Sequence, residues 1–156
     1  MRSIFIRTLF LLVLVSVGSL GIIGCDGGQP RVSIENARAE MSPTLYGEGI
    51  VYLKIVNLGG KDTLVGIKTT IPGATADLHE MKGNFMILAK SMRIPAKNIV
   101  DLMPMGSHIM IENMPKEARE GYAFTLTLVF DRSGEVQIPL TFIRAQPLLR
   151  EHEHHE

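Results

Sequence analysis

The chain has no tryptophan, 6% aromatic residues and one cysteine in 156 residues. A single cysteine excludes an intrachain disulfide framework, so the fold must form without covalent staples. Charge is equally unremarkable: 16 basic and 16 acidic side chains give a formal net charge of zero. With no basic block, the sequence excludes nucleic acid as a partner. No Gly-x-Ser-x-Gly elbow, His-Glu-x-x-His pair or usable cysteine nucleophile occurs, so nothing points to an enzyme. Asp77, Glu80 and Asp101 are scattered acids that read as a solvated strand edge. Internal repeats are absent. No helical period is long enough to compete with strands, apart from one turn of chain at Pro115–Arg119.

The one long hydrophobic run lies at the start. Arg2 and Arg7 precede an apolar stretch from Leu9 to Val17, and small residues follow to Gly24. This is the pattern of an export signal over residues 1–24, too short for a lasting membrane span; a retained anchor is the alternative. Ile22-Ile23-Gly24-Cys25 resembles the bacterial lipobox, which implies acylation of Cys25 and anchorage of the chain to a membrane facing the bacterial periplasm. An unmodified lone thiol would be a liability in an oxidising compartment, whereas several acyl chains anchor stably. Asp26 leans toward the inner membrane, by the rule of enteric bacteria. Without residues 1–24, 132 residues remain, the size of one domain able to bury a core unaided. Residues 25–30, with two glycines and a proline, read as a lipidated tether to a domain over residues 31–146. Residues 147–156 read as a disordered His-rich tail. His152, His154 and His155 form a candidate secondary copper(II) site, against the alternative of a solvated tail without a task.

The body shows strand signals every eight to twelve residues with turn residues between them. Segments 32–37, 49–57, 63–69, 75–81, 98–103 and 108–112 carry β-branched or alternating apolar residues. Tyr122–Phe130 and Glu135–Ile143 alternate strictly, around the turn Asp131-Arg132-Ser133-Gly134. Their stripes read as core. The expected fold is an all-β sandwich or barrel of about eight or nine short strands.

Methionine is what the chain has in excess. Seven of its nine methionines fall between Met81 and Met114. The only histidines outside the C-terminal tail, His79 and His108, lie within or beside that stretch. Residues at i and i+2 of a strand share a face. His79-Glu80-Met81 and His108-Ile109-Met110 therefore each present one imidazole and one thioether together. Neutral imidazole with thioether suits copper(I), whereas zinc more often recruits cysteine or carboxylate. Methionine also fills gaps in cores, and Met103, Met105 and Met114 read as packing or turn residues.

These motifs resemble the bacterial periplasmic copper chaperones of the PCuAC family, whose pattern is a histidine, ten residues, a methionine, twenty-one residues, then His-x-Met. Met86 and His108 are separated by the 21 residues 87–107. Ile94-Pro95-Ala96, the run Leu102-Met103-Pro104-Met105-Gly106-Ser107-His108 and Tyr52-Leu53-Lys54-Ile55-Val56-Asn57 also fit, and the match spans residues 31–143. One spacing departs: six residues, not ten, separate His79 from Met86. The resemblance implies a cupredoxin-like Greek-key β-sandwich that binds copper(I) through His79, Met86, His108 and Met110, with Met81 as a fourth candidate or a substitute. It further implies delivery to the copper-site subunit of cytochrome c oxidase, beside a thiol-containing assembly factor. The competing reading is a non-metal envelope lipoprotein that acts as a protein-binding module.

Overall fold

Period-two alternation makes most of the strands two-faced, and the inner apolar faces of two layers cover each other. The computed structural model describes residues 28–145. The export signal, Cys25, the first part of the tether and the tail histidines His152, His154 and His155 lie outside the described residues. Ten strands follow in order: β1 (Val32–Met41), β2 (Gly49–Asn57), β3 (Asp62–Thr69), β4 (Thr75–Lys82) and β5 (Phe85–Ala89), then β6 (Met92–Ile94), β7 (Asn98–Leu102), β8 (His108–Glu112), β9 (Ala123–Phe130) and β10 (Gly134–Ile143). No helix occurs among the described residues, and Pro115–Arg119 forms a turn in which the Ala118 amide donates to the Pro115 carbonyl at 2.9 Å.

The strand order is β5-β4-β8-β2-β1-β10-β9-β3-β6, with β7 also paired to β2. All pairings are antiparallel except β1 with β10. One layer runs from β5 to β1 and the other from β10 to β6. Between them lie Val51, Leu53, Ile55, Leu78, Ile109 and Ile111 from the first, and Leu64, Ile94, Leu126, Leu128 and Phe142 from the second. The alternating stripes of β9 and β10 are core, as expected from their period.

Two strands, β5 and β6, lie outside the eight segments that alternation marks. β5 is apolar at successive positions and has no alternation to read; as an edge strand it leaves Phe85 76% and Leu88 66% exposed. β6 is three residues long. β1 continues to Met41, beyond the expected end at Ala37, because a bulge between Glu35 and Arg38 shifts its register. Asn36, at φ 51°, absorbs the bulge, a conformation that asparagine tolerates better than most residues.

One end of the sandwich is closed by side chains rather than by strand ladders. Asn57 is fully buried, and its Nδ2 donates to the carbonyls of Gly60 (2.6 Å) and Pro95 (3.0 Å). Its Oδ1 accepts from the amides of Gly59 (3.0 Å) and Arg31 (3.2 Å). Glycine is needed at position 59 because a Cβ there would strike the backbone of Gln29, Pro30 and Arg31. The N-terminal segment is thereby seated on the β2–β3 turn.

Asp62 makes a second such knot, holding β3 to the β9–β10 turn. Its carboxylate accepts from the amides of Thr63, Arg132 and Ser133 and from the Ser133 hydroxyl. Burial alone would raise its pKa above the usual 3.8, but these hydrogen bonds outweigh burial and hold it lower. A depressed carboxyl contributes stability above its unfolded value, and that contribution is lost as pH falls through the folded value. Asp62→Ala is therefore expected to cost on the order of 3 kcal/mol at neutral pH, because it strands buried donors. The gap from wild type should narrow in acid. Chemical denaturation at both pH values measures it.

Candidate metal centre

Strand β4 pairs antiparallel with β8, and His79 falls directly opposite His108. Directly opposed residues share a face, so both imidazoles stand on the outer side of the first layer. Leu78 and Ile109, one position away, point into the core. The two rings lie 5.5 Å apart between centroids, tilted by 45°. An imidazole centroid sits roughly 3 Å from a metal bound through nitrogen, so rings sharing an ion have centroids within about 6 Å. The observed separation fits one ion between them.

The thioethers flank this pair along the strands. Met81, two residues beyond His79, lies opposite Met86 across the β4–β5 hairpin. Gly83 and Asn84 form the turn of that hairpin, with Gly83 at φ 60°. Glycine at the first central position is what a tight two-residue hairpin of this kind demands. That turn accounts for the short His79–Met86 spacing: Met86 sits diagonal to His79, whose direct partner on β5 is Leu88. Diagonal neighbours on a sheet face are about 7–8 Å apart, within reach of long side chains. Met110 lies on the other side of the imidazoles, opposite Asp77 on β4 and Ile50 on β2, and is 8% exposed. The five residues singled out in the sequence thus share one face: the imidazoles in the middle, Met81 and Met86 to one side, the buried Met110 to the other.

Two contacts orient His108. Its Nδ1 is 3.0 Å from the Gly106 carbonyl, which can only accept. Nδ1 must therefore carry the proton in that bond, which leaves the Nε2 lone pair free, the arrangement that ligating histidines usually show. Tyr52 packs edge-on against the ring at 6.2 Å. Behind Tyr52, the Arg38 guanidinium lies 4.7 Å over the phenol ring and is paired to Glu40 at 2.8 Å. Burial, followed by the Glu40 charge, raises the Tyr52 pKa, against a lowering by Arg38, so the phenol stays protonated. Alternation places Tyr52 on a strand, but its nearness to His108 follows only from the pairing of β2 with β8.

The turn before β8 completes the rim. The Met103 amide donates to the Ser107 carbonyl at 2.9 Å, and the Gly106 amide donates to Met103 at 3.0 Å. Ser107 Oγ accepts from the Met81 amide at 3.1 Å, tying the turn to the β4–β5 hairpin. Met105 adopts φ 62° and is 80% exposed, while Met103 is also exposed. Met114 and Met92 are core residues. Among the described residues no group of three or more His, Cys, Asp or Glu side chains gathers as for a harder metal.

Burial pulls the His108 pKa below the ordinary 6.5; the Gly106 hydrogen bond opposes this, and the neighbouring His79 adds to the lowering. The metal-free protein should therefore show a His108 imidazole that protonates only below 6.5. His79→Ala removes a like charge and some burial, so it should shift that titration upward. An NMR pH titration of the ring protons reads both.

The LpqE-like family model, which describes lipoproteins of that type, matches residues 32–142. No protein of curated function matches by sequence. Among solved structures, the apo PCuAC domain from PmoF1 shares 26% identity over 77% of this chain and 98% of its own, with a TM-score of 0.62. The copper-bound PCuAC domain from PmoF2 shares 23% over 73% and 93%, with a TM-score of 0.61. Copper(I)-bound DR1885 from Deinococcus radiodurans shares 18% over 71% and 76%, with a TM-score of 0.59. Fold and family thus agree with the histidine and methionine pattern: the chain belongs to the LpqE-like family, and its sandwich is the cupredoxin-like fold of PCuAC domains.

Proposed function

We propose that the protein is a membrane-tethered periplasmic copper(I) carrier. The observation that carries this reading is the facing pair His79–His108 at 5.5 Å, flanked by thioethers on an open sheet face. Copper is the cargo, held by the two imidazoles with Met110 and one or both of Met81 and Met86. Thioether sulfur cannot be deprotonated and binds hard ions poorly, so the donor set selects a soft monovalent ion. The relatives named for bound copper, one of them specifically for copper(I), support the same cargo. A cupredoxin-type electron carrier would want a thiolate ligand, and the one cysteine belongs to the lipobox-like Ile22–Cys25 run. That run, with a family described for lipoproteins, supports the tether.

Release follows from the same geometry. His108 is held by Gly106 and Tyr52, but Met86 stands exposed on the edge strand, where a recipient's ligand replaces it first. The cytochrome c oxidase copper subunit, reached with a thiol-containing assembly factor, is the recipient that the family resemblance suggests.

Competition titration against a copper(I) chelator tests the carrier. His108→Ala should weaken binding by more than the roughly 10–100-fold that an outer-shell change costs. Met81→Leu and Met86→Leu together should weaken it further than either alone, because the two are cross-strand neighbours. Wild-type affinity in His79→Ala/His108→Ala, with circular dichroism unchanged, would reject the site and leave a non-metal binding module. Deleting residues 151–156 should remove one copper(II) equivalent and leave copper(I) binding intact.

A further inference from the structure

Five exposed cations crowd the end of the sandwich where the chain enters it: Arg31, Lys61, Arg93, Lys97 and Arg132. Backbone contacts place them together. The Lys97 amide donates to the Gly59 carbonyl at 3.1 Å, and Thr63, two residues after Lys61, is the cross-strand partner of Arg93. Arg132 Nη1 donates to the Lys61 carbonyl at 2.7 Å and Nη2 to the Gly28 carbonyl at 3.4 Å. Arg31 Nη2 donates to the Leu58 carbonyl at 3.1 Å. Among the described residues none of the five is in an ion pair. Of the acids here, Asp62 is buried with its carboxylate occupied by hydrogen bonds, Asp131 is exposed, and the exposed Glu135 at the start of β10 is paired with Lys68 at 2.6 Å.

We propose that this pole is a docking face for anionic lipid headgroups. The choice of occupant rests on the tethered reading given above. Gly28 is the first described residue, and only three peptide units separate it from Cys25. Three residues span at most about 11 Å. An acylated Cys25 therefore holds the pole within about 11 Å of the bilayer surface, close to the Debye length of about 8–10 Å at physiological salt. Like charges concentrated at that distance are attracted by anionic lipids and little by neutral ones. The segment Gln29–Arg31 cannot swing free, since the Gly60 amide donates to Gln29 at 3.1 Å and the Leu58 amide to Arg31 at 3.0 Å.

The face also sets the stance of the copper site. Tyr52 lies five residues along β2 from Asn57 at the pole, about 17 Å at strand spacing. His108, beside Tyr52, then stands clear of the headgroups on the flank of the domain, open to a recipient.

Lysine footprinting on the full chain reconstituted in vesicles tests the face. Acetylation by an amine reagent is read by mass spectrometry at each lysine, on phosphatidylglycerol–phosphatidylcholine vesicles and on phosphatidylcholine alone. Lys61 and Lys97 should react about fivefold more slowly on the anionic surface, and high salt should restore them. Lys116, near the opposite end, should not change. Arg31→Gln/Arg93→Gln should diminish the protection without altering circular dichroism. Equal rates on both surfaces would overturn the proposal, as would equal protection by inorganic phosphate without vesicles. Intact mass reports acylation of Cys25 separately: protection without acylation sinks the tether but keeps the face, and acylation without protection sinks the face.

Discussion

Everything at the candidate centre depends on the register between β4 and β8. Side chains alternate faces with period two, so a slip of β4 by one residue against β8 would turn His79 inward and Leu78 into water while His108 stayed on the outer face. Leu78 and Ile109 are themselves a cross-strand pair, 4% and 0% exposed. Burying each such side chain contributes about 1.5–3 kcal/mol. Hydrophobic burial on one face of the layer thus decides where the imidazoles stand on the other.

Rigidity is distributed unevenly around that pair. The Gly106 carbonyl, the Tyr52 edge and the Ser107 hydroxyl fix the backbone and one ring. Arg38 and Glu40 in turn brace Tyr52 from β1. Met86, exposed on the edge strand β5, has no comparable support. Within the carrier reading, this contrast separates retention from release: imidazoles in fixed positions hold the ion, and a loosely held soft donor at the rim exchanges.

The β4–β5 hairpin shows how a spacing can mislead while the chemistry survives. Counted along the chain, Met86 arrives four residues early relative to the PCuAC pattern. In space the two-residue turn at Gly83-Asn84 places it opposite Met81 and diagonal to His79. A shorter loop therefore changes which position along β5 faces the histidine row, but not the face on which the thioether stands.

Periodic alternation and residue chemistry were legible in the chain alone. They identified β9 and β10 as core strands, each His-x-Met pair as an imidazole and a thioether on one face, and the sandwich class. Alternation failed where it was absent or broken, at the uniformly apolar β5, the three-residue β6 and the Asn36 bulge. Local sequence determines which side chains share a face, because that is a property of one strand. Only the tertiary structure decided that the two pairs meet, that Tyr52 orients His108, and that five cations gather at the entry pole. Such contacts arise from register and strand order, which are set by burial summed over the whole core.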